Sequence, residues 1–463
     1  MTPCDVAITG AQVVTGRGAR PATLGVRDGR IALVADPAVS VPARQVIDAA
    51  GLVVLPGLVD AHVHMREPGF GHKEGFATGS MAAAAGGVTT MMVMPTTEPP
   101  TLTAQDFEKK VRLAEGAAYV DFALLAGVSA DGSQLEALVK LGAVAFELFF
   151  GDMPPPLLVA DNGRLREILR QIARLGAVAG VTPTEQDIVR LETARLEAEG
   201  RREPRAFASS RPPIAEALGV ARACLLAEET GARVHIRQVS CARSLDILRT
   251  ARRRYPRLSA ETMPHNLLLF EEELDRQGPY AKVAPPLRSP AEAESLWQAL
   301  RDGTVDMVAT DHAPHLPEEK EAGRADIWRA PGGLPGLQTF LPLMLDQVAK
   351  GRWEWSDLVR CCAEAPARVF GLYPRKGALE PGSDADLVVV DPRRPAVIDN
   401  ASQLSKARVT PFAGRVCTGS PTLTMLRGQV VMRDGTIEGP PRGRLVTPAA
   451  VDPALPIPTS SLR

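Results

Sequence analysis

The stretch Leu55-Pro-Gly-Leu-Val-Asp60-Ala-His62-Val-His64 carries the first decision about the fold. Its apolar run is strand-sized and closes on two histidines two positions apart. Successive side chains of a strand point to opposite faces, so His62 and His64 share one. A second apolar run, Val305-Asp-Met-Val-Ala-Thr-Asp311-His312-Ala-Pro-His315, ends on a carboxylate and two more histidines. A carboxylate at the C-terminal end of a buried parallel strand is a usual position for site chemistry.

Working outward, further strand-like runs lie between these two: Thr89-Thr-Met-Met-Val-Met-Pro, Val120-Asp-Phe-Ala-Leu-Leu-Ala, Ala143-Val-Ala-Phe-Glu-Leu-Phe-Phe, Val178-Ala-Gly-Val, Arg233-Val-His-Ile-Arg-Gln-Val and Leu258-Ser-Ala-Glu-Thr. Helical stretches separate them, among them 104–115, 133–141 and 162–175. Repeated strand-then-helix order predicts a parallel sheet with right-handed crossovers. Eight such units point to a closed (β/α)8 TIM-type barrel. The pattern alone leaves an open doubly wound sheet as the alternative.

Outside that region the texture is all-β. Val6 to Thr9, Ala11 to Val14, Ala22 to Val26, Ile31 to Val34 and Gly51 to Leu55 are short strands between Gly, Asp and Arg-Asp-Gly turns. Ala385-Asp-Leu-Val-Val-Val-Asp and the hairpin pattern from Thr424 to Gly435 repeat the texture near the end. The expected division is a composite β-sandwich domain from 1–55 and 380–440, the barrel at 56–379, and an extended or disordered tail at 441–463, rich in Pro, Ser and Thr.

Composition narrows the partners. Lys plus Arg number 53 against 54 for Asp plus Glu, a formal net charge of -1. Neither nucleic acid nor an anionic membrane is expected as a partner of so balanced a chain. Apolar residues are 45% of the chain, enough for a large core. No apolar run approaches the ~20 residues of a membrane span, and the first residues lack the pattern of a signal peptide. The six cysteines contain no CxxC pair. A reduced, cytoplasmic protein is the expectation.

The seven histidines are His62, His64, His72, His235, His265, His312 and His315. His62 and His64 at a strand end make the first half of a metal site; core packing is the plain alternative. Asp311 reads as a metal ligand or catalytic carboxylate, or as a helix N-cap. The pair of clusters together favours the metal reading.

These residues carry a resemblance. Pro56-Gly-Leu-Val-Asp-Ala-His-Val-His-Met-Arg-Glu-Pro-Gly69, Gly71-His-Lys-Glu, Ala85-Gly-Gly-Val-Thr-Thr, Lys282-Val-Ala-Pro-Pro-Leu-Arg288, Ala309-Thr-Asp-His-Ala-Pro-His315, Pro331-Gly-Gly-Leu-Pro-Gly336 and Gly377-Ala-Leu-Glu-Pro-Gly-Ser-Asp-Ala-Asp-Leu-Val-Val look like the ordered motifs of the amidohydrolase superfamily. The branch is that of dihydroorotases, allantoinases and hydantoinases, with Arg-Glu-Pro-Gly favouring dihydroorotase. The resemblance implies that His62, His64 and Asp311 hold a divalent metal, zinc, that Asp311 is the general base, and that Arg66 and His315 grip a substrate carboxylate.

The departures fall together. The family's metal-bridging lysine on the fourth strand is replaced by Glu147, and two second-metal histidines by Thr182 and Gln238. That pattern argues for one zinc per chain. Glu147 is then a candidate ligand, or a buried carboxylate left by decay; its side chain is shorter than a carbamylated lysine by roughly 3–4 Å. Thr96 and Ala284 stand where the family has substrate-binding asparagines. Losing both polar groups points to a substrate other than dihydroorotate itself.

The expected function is metal-dependent hydrolysis of a cyclic amide C–N bond, on dihydroorotate or a related cyclic amide or ureide, with a place in pyrimidine metabolism. The alternatives are a catalytically inactive structural subunit, and different chemistry on the same framework, such as deamination. A small-molecule substrate and a homo-oligomer, dimer or tetramer, complete the expectation.

Overall fold

The computed structural model describes residues 3–129, 131–159 and 161–449. Eight parallel strands form the barrel: β1 (Leu58–Val63), β2 (Val88–Val93), β3 (Asp121–Leu124, continued by Ala126–Gly127), β4 (Phe146–Phe149), β5 (Val178–Thr182), β6 (Arg233–Ile236), β7 (Leu258–Thr262) and β8 (Met307–Val308). Each pairs in parallel with the next. The ring closes between β8 and β1. Val63 bridges His312 in parallel, and the His64 amide donates to the His312 carbonyl at 2.8 Å. This closure excludes the open sheet, and it places the two histidine-bearing segments side by side.

The strands carry almost uninterrupted apolar sequence because both faces are buried, one against helices and one inside the barrel. The helices begin where local chemistry dictates. At Ala104–Ala114 the Thr103 hydroxyl accepts from the Asp106 amide while the Asp106 carboxylate accepts from the Thr103 amide, a capping box. At Asn162–Arg174 Asp161 is the cap, and Leu165, Ile168, Leu169 and Ile172 face the barrel.

The chain ends build one sheet, in the order Thr436–Ile437, Gln429–Arg433, Val416–Leu426, Leu387–Val397, Val53–Pro56, Cys4–Thr15, Gly18–Arg27, Arg30–Ala35, with Ala43–Asp48 beside Cys4–Thr15. The segments read as separate strands before and after Thr9 are one strand, irregular between Ile8 and Ala11. Gly10, at φ +74°, packs against Ala50 there and fills the irregular position.

A buried knot joins sheet to barrel. Lys376 Nζ lies 2.5 Å from Asp121, which opens β3, and 3.0 and 2.6 Å from Asp384 and Asp386 beside Leu387–Val397. Arg427 also bonds Asp121. Residues 441–449 run extended along the barrel: Leu445 bridges Phe122, and Val446 is buried with its amide on the Phe122 carbonyl. The remainder of the expected tail, 450–463, lies outside the described residues. Among the described residues no helix is long and apolar enough to cross a membrane, and all six cysteines are buried and free.

Candidate metal centre

β1 delivers His62 and His64 to the C-terminal mouth of the barrel, and the chain just past β8 delivers Asp311. The three converge. His62 Nε2 lies 3.3 Å and His64 Nε2 3.1 Å from the same Asp311 oxygen, Oδ1. Each ring is fixed by its other nitrogen. His62 Nδ1 donates to Glu261 Oε1 at 2.6 Å, and His64 Nδ1 lies 2.6 Å from the Thr96 hydroxyl. Both Nε2 atoms thereby face Asp311, the side from which a metal ion would bind them. Asp311 Oδ2 accepts from the Gln238 amide at 2.6 Å, and that amide also reaches the Ala284 carbonyl at 3.2 Å.

One carboxylate and two imidazoles, with donor atoms all within 4.8 Å of one another, fit one divalent cation with positions left open for water and substrate. The group forms the floor of a cleft of about 190 Å³, walled by Phe149, Met153, Val283 and Ala313 and edged by Arg66 and Thr184. Arg66, Gln238 and Asp311 all have left-handed backbones, at φ +57°, +54° and +47°. Three non-glycine residues held there in one pocket mark stored strain at a site.

The electrostatics suit a cation. Burial pushes the Asp311 carboxyl up, yet His62 and His64 outweigh it and hold it at about 2. Burial brings His64 down to about 4, whereas Asp311 and Glu261 outweigh burial at His62 and hold it above its ordinary value. Arg66 falls to about 10 through burial, and His315, buried beside Arg66, to about 2.

Arg66 and His315 are brought together: Arg66 Nη2 lies 3.0 Å from His315 Nε2. Thr96 lines the cleft, but its hydroxyl is engaged by His64. Ala284 lines it too. Glu147 is not brought to the metal group. Its Oε1 takes Arg237 Nη2 at 2.5 Å and its Oε2 takes Nε at 3.3 Å, with both side chains fully buried. The short glutamate arm lies down over Gly180, where an added Cβ would strike its carboxylate. Glu185 pairs with Arg222 at 3.2 Å. His312 turns away from the group, its Nδ1 accepting from the Gly336 amide at 3.1 Å.

Two site residues escaped the sequence reading. Glu261 on β7 receives His62, His235 Nε2 at 2.9 Å and Arg237 Nη1 at 2.9 Å. Arg237 follows β6 and also donates to the Ala61 carbonyl at 3.0 Å. The signal was present: Ser259 and Glu261, and His235 and Arg237, are polar residues at alternate positions of otherwise apolar strands, hence on one inner face. A second acidic group, Asp121, Asp384 and Asp386, already holds the Lys376 ammonium.

Comparison with known proteins agrees with this architecture. An allantoinase of Rubrobacter xylanophilus is 39% identical over 452 residues, spanning 97% of this chain and 98% of that protein. A dihydroorotase of Methanothermobacter thermautotrophicus is 38% identical over 416 residues, 89% of this chain and 91% of that protein. The structure of L-hydantoinase (dihydropyrimidinase) from Arthrobacter aurescens superposes with a TM-score of 0.93 at 35% identity, covering 96% of this chain and 100% of that one. Residues 53–431 match the amidohydrolase family, and with its barrel, its convergent His62, His64 and Asp311 and these full-length relatives, the chain belongs to that family.

Proposed function

We propose that this protein hydrolyses the C–N bond of a cyclic amide or ureide, with a single divalent ion, zinc, held by His62, His64 and Asp311. The observation that carries the reading is the convergence of those three donors on one point at the floor of a cleft. The relatives named dihydroorotase, allantoinase and hydantoinase support the substrate class.

A metal ion bound there supplies Lewis-acid polarisation of the scissile carbonyl and acidifies water. The protein supplies the rest. Asp311 is the proton carrier: it accepts from the attacking water and delivers to the leaving ring nitrogen. The Gln238 amide on Oδ2 keeps Oδ1 turned to the reacting side. Arg66 is a buried cation whose Nε has no partner among the described residues, so its charge is available to an anionic substituent. Phe149, Met153 and Val283 offer an apolar wall for the substrate ring to pack against. Ala284 in the wall favours a substrate less polar than dihydroorotate at that edge.

The free buried cysteines support a cytoplasmic setting. Exposed Leu191, Leu218 and Leu225 offer apolar surface for self-association as a dimer or tetramer. The reading is tested by assaying zinc-loaded protein on dihydroorotate, hydantoin, allantoin and dihydrouracil, with and without chelator. Zinc-dependent ring opening of one of them is expected. A folded, zinc-loaded protein that opens none would favour the inactive structural subunit.

A further inference from the structure

Inside the barrel, beneath the metal group, Arg237 is fully buried between two fully buried carboxylates, Glu147 and Glu261. An unpaired carboxylate in such a place would not remain ionised. Glu261 is shared: one oxygen receives His62 Nδ1, and the other receives both His235 Nε2 and Arg237 Nη1. His235 is itself locked, with Nδ1 on the Ser259 hydroxyl at 2.8 Å. Arg237 is anchored in turn by the Ala61 carbonyl, in the strand between Asp60 and His62.

The residues here do not fit a second cation. Glu147 is consumed by the guanidinium, the Gln238 amide donates to Asp311, and Thr182 offers only a neutral hydroxyl. We propose that Arg237 is a positioning residue that takes the place of a second cation: it neutralises Glu147 and Glu261 and, through Glu261, fixes the His62 ring with Nε2 facing Asp311. The guanidinium suits this role because its planar fork bonds both carboxylates and a backbone carbonyl at once, which a lysine ammonium cannot match in direction. The site is thereby limited to one ion. This rests on the single-metal reading above, but its test does not depend on zinc alone.

The experiment uses full-length protein selectively labelled with ¹⁵N-histidine. Removing Arg237 alone strands two buried carboxylates and threatens folding, so the variants are R237M/E147Q, which leaves only Glu261, still held by His62 and His235, and R237K, which keeps the charge. In metal-free wild type, the His62 Nδ1–H signals are expected to report a strong hydrogen bond to Glu261. In folded R237M/E147Q that hydrogen bond is expected to weaken, and zinc affinity measured by chelator competition to fall about ten- to a hundredfold. R237K, which keeps the charge but not the fork, is expected to recover only part of both. A wild-type Nδ1–H signal and wild-type zinc affinity in folded R237M/E147Q would overturn the proposal, as would two tightly bound zinc ions per wild-type chain. If wild type binds no zinc at all, the single-metal reading fails, and the His62 Nδ1–H hydrogen bond still decides the role of Arg237.

Discussion

The Gln238 amide donates to Asp311 Oδ2 at 2.6 Å, and this contact determines which oxygen of Asp311 faces the histidine pair. Charge-assisted hydrogen bonds of this kind contribute about 1.5–3 kcal/mol. Gln238→Ala is therefore expected to lower kcat about 10- to 100-fold on whichever cyclic amide is turned over, with KM little changed. Steady-state kinetics check this. An unchanged kcat would mean that Asp311 is held by other means.

Arg66 sits at the edge of the cleft with part of its guanidinium unsatisfied. Arg66→Met is expected to raise KM for a carboxylate-bearing ring such as dihydroorotate by about 10- to 100-fold. For neutral hydantoin the change is expected to be within about threefold. The comparison needs both substrates on one preparation. Equal losses on both would assign Arg66 a structural role.

Lys110 is fully buried, with Nζ on the Met94 carbonyl at 2.9 Å and, among the described residues, no carboxylate at bonding distance. Burial lowers its pKa from the usual 10.5 to about 7. The unfolded chain then binds more protons than the folded chain between about pH 7 and 10.5, so this group makes stability rise with pH across that window and costs most below it. Lys320 is shifted the same way, to about 7, by burial and by Lys282. Denaturation midpoints measured from pH 7 to 10 are expected to show a smaller upward slope in Lys110→Met than in wild type. An identical slope would show that Lys110 is solvated.

The Lys376 knot ties the two parts of the fold together. Lys376→Met leaves three buried aspartates without their shared cation and is expected to cost about 3–5 kcal/mol. For a chain of this size that lowers Tm by about 3–5 °C. Differential scanning calorimetry measures it, and a shift of a degree or less would show that the aspartates find other partners.

The barrel was legible because its strands are separated by helices and buried on both faces, so each reads as a short continuous apolar run. His62, His64 and Asp311 were legible for the same reason: polar groups at strand ends stand out against apolar sequence. Gln238 was harder. Its left-handed backbone breaks the two-residue alternation, so counting from His235 gives its face wrongly. Glu261 and Arg237 bond partners far away in the chain, and only barrel closure brings these together; their inward alternation signalled burial but not what they would touch. Glu147 illustrates the limit. Its reach could be judged from side-chain length, but the guanidinium that captures it could not be placed without the fold.

The central claim is that His62, His64 and Asp311 hold one divalent ion. Elemental analysis of protein purified from zinc-supplemented medium tests it most directly, run beside His62→Ala/His64→Ala. The account predicts about one zinc per chain in the wild type and almost none in the folded double variant. Zinc absent from the wild type, or retained undiminished in the variant, would contradict it.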